Sequence, residues 1–341
     1  MRRDDLEALL PEALDLLRRH VEVNSFTFHR DGVVQLGDMT VDLFGPLGFA
    51  AHRLPSVTPA CGDHIVLERD GAPGGKRLVL VSHLDTVFPP STTFPWSERE
   101  GDSWVEGPGV CDIKGGTILM WMVLRVLRDR RPDLFESVTW RLLFNATEEG
   151  GCSDFPEIAR AEVTPGTRAC LVYEAGMPAG AGSTVVAQRK GCGRFRLDAY
   201  GHPAHSGNAH EHGASAIREL ARQIERIEQL TDYVADQTFS VGLIQGGTAV
   251  NSIPDHAWAD IDVRSWTTDA EMDGQRKLEE IAAHPTVRSA DGAHGCRLTL
   301  TPRPGYPPWP KNDATERLVA VALDCGGQLD LKLVRTKRRG G

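Results

Sequence analysis

Hydrophobic and polar residues recur along this chain in two rhythms. Near the start, Leu6, Leu10, Leu14 and Leu17 return at helical spacing, which predicts an amphipathic helix. From Leu78 to about Ala175, short apolar runs alternate with helical segments. RLVLVSH (77–83) predicts a buried strand that ends in polar residues. GGTILMWMVLRVLRDRR (115–131) predicts a helix whose last turn is basic, where cations suit the dipole. VTWRLLFNATEE (138–149) predicts a second buried strand and RACLVYEAG (168–176) a third. Strand, helix, strand at this spacing implies an α/β fold with a parallel or mixed sheet covered by helices on its faces. In such sheets ligands sit beyond the carboxyl ends of the strands.

Past Ser183 the rhythm changes. STVVAQRKGCGRFRLDAYG (183–201) predicts strands joined at a glycine turn. A helix over about 214–229 carries Ile217, Leu220, Ala221, Ile224 and Ile227 on one face. Strands at 237–247 and 256–266, a helix at about 270–284 and a strand at 296–302 follow. This block predicts an α+β domain: a four-stranded sheet backed by two helices. A helix over 313–324 and a strand over 329–334 are then expected to return to the first domain. The expected organisation is 1–182, an inserted domain over 183–298, and a return over 299–341.

Composition narrows the function. The chain has 341 residues and a net charge of −9, which argues against a nucleic-acid binder, since neutralising phosphates needs surplus Lys and Arg. The longest apolar stretches, such as Ile118–Leu124, are too short to span a bilayer. Asp4, Asp5, Glu7, Glu12 and Asp15 interrupt any apolar signal core, so a cytoplasmic protein is expected. Cys61, Cys111, Cys152, Cys170, Cys192, Cys296 and Cys325 are odd in number and scattered, without a C-x-x-C pair. Neither a disulfide framework nor a zinc knuckle is expected.

The informative feature is the chemistry at the strand ends. His83-Leu84-Asp85 follows the first strand. Alone, it also reads as an ordinary histidine and a capping aspartate. Asp112 sits in GPGVCDIKGG (107–116), where glycines let the backbone fold around an ion. It also reads as a helix N-cap. A phosphate loop is excluded, because Lys114 precedes Gly115 instead of closing a G-x-x-x-x-G-K-[ST] motif. A dinucleotide fold is excluded too, because no G-x-G-x-x-G follows the first strand. Glu148 and Glu149 end the second strand and Glu174 the third. Adjacent carboxylates repel unless something positive neutralises them. One histidine among several carboxylates suits zinc, cobalt or manganese.

With LVSHLDTVFP, GPGVCDIKGG, NATEEGG, YEAG, RKGCGRFRLDAYGHPAHSG and GGTAVNSIPDHAWADIDVR in order, the sequence resembles the dizinc exopeptidases and deacylases. These include glutamate carboxypeptidase, aminoacylase, acetylornithine deacetylase and succinyl-diaminopimelate desuccinylase. The VVAQRKG and AHSG stretches look most like the glutamate carboxypeptidase branch. The resemblance implies a three-layer catalytic domain with an inserted dimerisation or lid domain, and two Zn2+ (or Co2+ or Mn2+) per chain. It implies that His83 and Glu174 ligate one ion, Glu149 the other, and Asp112 both, with Asp85 orienting the His83 imidazole. Glu148 would be the general base, taking a proton from a metal-bridging water whose hydroxide attacks an amide carbonyl. His205 would reach a partner subunit's site as oxyanion donor. Asn251, Arg264 and Arg303 would bind substrate, and His202 is read as structural. The implied partners are a small peptide or N-acyl amino acid and a second copy of the chain.

One departure accompanies the match. The family continues with a Gly-Gly-Ser/Thr-Asp stretch and a late histidine that ligates the Glu149 ion, whereas this sequence stops at Arg338-Arg339-Gly340-Gly341. His256, His284 and His294 do not fit that place. The C-terminal end of the catalytic domain is therefore expected to be missing. The alternative reading is a truncated or non-catalytic relative that binds ligand or metal without turnover.

Overall fold

The computed structural model describes residues 3–92, 95–98, 104–151, 154–176, 178–179 and 182–338. It divides into two compact units, Met1–Met177 and Pro178–Gly341.

The first unit opens with α1 (Arg3–Glu7), α2 (Leu10–Glu22) and α3 (Arg30–Phe44). The single N-terminal helix expected from leucine spacing is two, because the chain breaks at Ala8–Leu9 and Pro11 takes the first turn of α2, where its missing N–H costs nothing. Ala13, Leu17 and Val21 carry the buried stripe, and Leu10 is exposed. Strands β1 (Ala50–Pro55), β2 (Asp63–Arg69) and β3 (Arg77–His83) follow, then a short pair, β4 (Ser97–Glu98) and β5 (Val105–Glu106). A turn at Val110–Lys114 leads into α4 (Gly115–Arg130), α5 (Pro132–Ser137), β6 (Thr139–Asn145), α6 (Phe155–Glu162) and β7 (Thr167–Val172).

The main sheet has the order β1-β2-β6-β3-β7. β3 runs parallel to β6 and β7, and β2 antiparallel to β6, so the sheet is mixed. Both faces are covered, and the pleat explains how. Ile65, Leu67, Leu80, Leu142 and Phe144 face a core built with α2, α3, α4 and α5. Their neighbours Val66, Val79 and Leu143 face Phe155, Ile158 and Ala159 of α6. Successive strand residues point to opposite faces, so continuous apolar runs give a three-layer unit. Each fully buried large side chain contributes about 1.5–3 kcal/mol.

The second unit comprises β8 (Pro178–Ala179), β9 (Gly182–Arg189), β10 (Gly191–Tyr200), β11 (Ala204–His205), α7 (Ala216–Glu228), β12 (Thr238–Gly246), β13 (Ser252–Ile253), β14 (His256–Ser265), α8 (Thr268–Ala283), β15 (Arg297–Tyr306), α9 (Asp313–Gln328) and β16 (Leu333–Arg338). β12-β14-β10-β15 form an antiparallel four-stranded sheet. β14 alternates: Ala257, Ala259, Ile261 and Val263 join the core under α7 and α8, while Trp258, Asp260, Asp262 and Arg264 take the other face. Ser215, Thr267 and Asn312 cap α7, α8 and α9 through side-chain oxygens.

β16 pairs in parallel with β9, and with β8 these make a separate three-stranded sheet. The α+β block is thus inserted between two strands that join each other. The boundary expected at residue 298 falls inside β15, which stays in the four-stranded sheet to Tyr306. The strand expected over 329–334 lies at Leu333–Arg338. Among the described residues no helix is long and apolar enough to cross a membrane. The six described cysteines are free, and Cys152 lies outside the described residues.

Candidate metal centre

Because β3, β6 and β7 run the same way, their carboxyl ends meet at one edge of the first unit's sheet. β3 ends at His83, opposite Asn145 of β6. β6 stops there, four residues short of the expected end, because the Asn145 side chain accepts the Thr147 N–H at 3.0 Å and turns the chain. β7 is prolonged by the Tyr173 N–H bonding the Val81 carbonyl at 2.9 Å, which delivers Glu174 to the same edge. A Cβ on Gly116 would lie 2.2 Å from the Tyr173 carbonyl, so only glycine lets the first turn of α4 approach this strand end. Asp112 stands in the turn before α4, in non-helical backbone joined to Ile113 by a cis peptide, and does not cap the helix.

His83 is the hub. It is buried, and its Nδ1–H donates to the Asp85 main-chain carbonyl at 2.9 Å. That leaves Nε2 facing Asp112 Oδ1 at 2.8 Å and Glu174 Oε1 at 3.4 Å. One donor atom each from His83, Asp112 and Glu149 lie within 4.8 Å of one another. Burial works against a charge on the imidazole, but Asp112, Asp85 and Glu174 overcome it and push the pKa up to about 12. A proton on Nε2 thus supplies positive charge that a cation would otherwise bring.

The glutamates tell the same story from the other side. Desolvation, then the negative charge of Asp112, pushes Glu149 up to about 7, although His83 pulls the other way. Desolvation also raises Glu148, opposed by His83 and assisted by Glu174, Asp85 and Asp112. Carboxyls that desolvation and neighbouring negative charge make reluctant to ionise fit a divalent-cation site. The donor set of imidazole and carboxylates suits zinc, manganese or cobalt.

Asp85 approaches the His83 ring closely through its main chain and at longer range through its carboxylate. Its carboxylate Oδ1 lies 3.5 Å from His83 Nδ1, and the short contact to the ring is the main-chain one. The carboxylate instead accepts the Glu148 N–H on Oδ1 and the Glu149 N–H on Oδ2, both at 3.0 Å. Three further groups were not legible as site components. Thr27 donates to Asp85 Oδ2 at 2.7 Å. His64, fully buried, accepts the Ala146 N–H at 3.1 Å and sits 3.1 Å from Asp154, steadying the stem of the Glu148–Glu149 turn. Lys114 is buried and donates to the Val23 carbonyl at 2.8 Å, and burial lowers its pKa to about 7. The signal for His64 was a polar residue inside an apolar run; Thr27 has no signal.

The other expected site residues lie in the second unit. The Gly207 and Asn208 N–H groups donate to His205 Nδ1 at 3.1 and 3.2 Å, so a neutral His205 carries its hydrogen on Nε2, exposed and ready to donate. The Asn251 carbonyl accepts the Ser206 N–H at 3.0 Å, and β11 pairs with β13, so these two loops are held together. Arg264 is committed: it forks onto Asp262 at 2.6 and 2.9 Å and donates to Tyr306 Oη at 2.6 Å, and that pair raises its pKa further. Arg303 is exposed on β15, opposite Arg194 of β10. His202 stacks on His294 with ring centroids 3.5 Å apart, and His256 bonds Asp198 at 2.9 Å.

The chain is similar to known peptidases. Residues 187–290 match the peptidase dimerisation domain. The chain is 27% identical to carboxypeptidase G2 of Pseudomonas sp. (strain RS-16) over 338 residues, covering 97% of this chain and 77% of that protein. Its fold is similar to that of the aminopeptidase PepT of Bacillus cereus, with TM-score 0.73, 20% identity, and coverage of 98% and 85%. It is also similar to a dinuclear metal-binding peptidase of Bacillus subtilis described as of the M20 family, with TM-score 0.69, 18% identity, and coverage of 98% and 84%.

Proposed function

Since this chain belongs to the M20 peptidase family, with its dimerisation domain, we propose that it is a dizinc amidohydrolase of the carboxypeptidase or deacylase type, acting on a small peptide or an N-acyl amino acid. The observation that carries the reading is the approach of His83, Asp112 and Glu149 donors within 4.8 Å, beside Glu148 on the same turn. His83 and Glu174 would hold one ion, Glu149 the other, and Asp112 both. Bound divalent cations supply Lewis acidity, which makes a water acidic near neutral pH and polarises an amide carbonyl.

The chain's own residues do the proton work. Glu148, its basicity raised by its surroundings, takes a proton from the attacking water. The new C–O bond forms, the amide C–N bond breaks, and Glu148 returns the proton to the leaving nitrogen. His205, from a second copy of the chain, stabilises the tetrahedral oxyanion through its Nε2–H. With three Arg264 donors already committed, Arg303 is our candidate for the substrate carboxylate, which a guanidinium binds bidentately. Asn251 completes the substrate contacts.

The test is metal-stripped protein reconstituted with Zn2+, Co2+ or Mn2+ and offered a panel of dipeptides and N-acyl amino acids. Turnover that chelator abolishes and metal restores supports the reading. Metal uptake without hydrolysis of any panel member rejects it in favour of a non-catalytic binder.

A further inference from the structure

Thr27 belongs to no motif, yet it is buried beneath the turn that carries Glu148 and Glu149. Its hydroxyl donates to Asp85 Oδ2, the same oxygen that accepts the Glu149 N–H, while Oδ1 accepts the Glu148 N–H. We infer that Thr27 is a positioning residue for the hydrolytic centre: its hydroxyl orients the Asp85 carboxylate, and that carboxylate holds the Glu148–Glu149 turn in place. The inference rests on the roles proposed above for those two glutamates.

Thr27 is itself rigidly placed. Its N–H bonds the Thr86 carbonyl at 3.2 Å, and the Thr86 N–H returns to the Ser25 carbonyl at 2.8 Å. Asn24 brackets the segment, accepting the Phe26 N–H at 3.2 Å and donating to the Phe88 carbonyl at 3.1 Å. The segment is thereby zipped along the residues next to Asp85. Without the hydroxyl, only the Glu148 and Glu149 N–H groups oppose rotation of the carboxylate toward the His83 ring, whose Nδ1 lies 3.5 Å from Oδ1. Charge-assisted bonds of this kind are short and directional, and removing a group that orients a metal ligand typically costs about 10–100-fold in metal affinity.

Thr27 also touches the turn through its methyl group. A Cβ on Gly150 would lie 2.7 Å from Thr27 Cγ2, so the turn packs directly on that methyl. The two contacts are separable. Thr27→Val keeps the methyl and removes the donor; Thr27→Ser keeps the donor and removes the methyl.

The experiment compares parent, Thr27→Val and Thr27→Ser in the full chain by three readouts. These are amide hydrogen exchange at Glu148 and Glu149 in metal-free protein, Co2+ titration, and kcat with KM on the best panel substrate. Thr27→Val is expected to speed exchange at those two amides, weaken Co2+ binding by about 10–100-fold and lower kcat with KM nearly unchanged. Thr27→Ser is expected to restore all three toward the parent. Parent-like exchange and Co2+ affinity in Thr27→Val overturn the inference, as does Thr27→Ser failing as badly as Thr27→Val. Should Thr27→Val not fold, Thr27→Cys, with a weak thiol donor in similar volume, replaces it. A parent that binds Co2+ but hydrolyses nothing defeats the proposed function alone, because exchange and titration still decide the role of Thr27.

Discussion

On the proposed function, a metal at this site competes with protons for the same donor atoms. His83 sits among Asp112, Asp85 and Glu174, so its metal-free pKa is pushed up to about 12. A metal needs the Nε2 lone pair, so the proton must leave. With its pKa raised that far, the imidazole holds its proton at pH 8, and a metal must displace it. Glu149, pushed up to about 7, adds a second proton below neutrality. From pH 8 to pH 6, His83 weakens binding by about 100-fold and Glu149 by about 10-fold, roughly 10³ together. The assay is competition against a chromophoric chelator at constant ionic strength, summed over the ions bound. Proton release measured at constant pH is expected near one per chain at pH 8 and near two at pH 6. An apparent affinity changing by less than about 10-fold over this range would refute the claim that His83 holds a proton where the metal belongs.

Other expectations concern single residues. Glu148→Gln should keep its metal content by elemental analysis but lose about 10²–10⁴ in kcat; retained turnover rejects Glu148 as base. Asp85→Asn places an amide N–H against the Glu148 or Glu149 N–H and reduces the remaining charge-assisted bonds to neutral ones. Urea unfolding of chelated protein should show a loss of about 2–4 kcal/mol, and a loss below about 1 kcal/mol contradicts the clamp. Gly150→Ala forces a Cβ to 2.7 Å from Thr27 Cγ2 and should lower kcat and metal affinity together; a parent-like variant would mean that the turn is not packed there. In metal-free protein Glu149 has a folded pKa raised from 4.5 to about 7, so its stabilising contribution is complete below pH 4.5 and is lost as pH rises through 7. Glu149→Gln should flatten that fall in the melting temperature between pH 4.5 and 7, and an unchanged slope assigns the fall to other groups.

The hydrophobic pattern made much of the fold legible. The strand at 77–83 and the helix from Gly115 lie where the apolar runs placed them, because a strand buried on both faces and an amphipathic helix each impose a period on their sequence. The α+β block was legible for the same reason, since β14 alternates strictly. The β1–β2 pair, α3 and α6 escaped the reading, and the partner of β16 is a long-range choice that local pattern does not encode. The break at Ala8–Leu9 shows a proline at a first helical turn overriding leucine periodicity.

At the site, the sequence by itself determined which chemistry was possible. Metal-ligating residue types stand at strand ends, and parallel pairing puts those ends at a common edge. Tertiary structure decided the rest. It placed the Asp85 carboxylate on the Glu148 and Glu149 amides, drew in Thr27 from 58 positions away, and set Arg264 against the Tyr306 hydroxyl, 42 positions away. Residue type and spacing set what a side chain is able to bond. Which partner it bonds depends on distances of about an ångström between segments remote in the chain, and those exist only once the chain has folded.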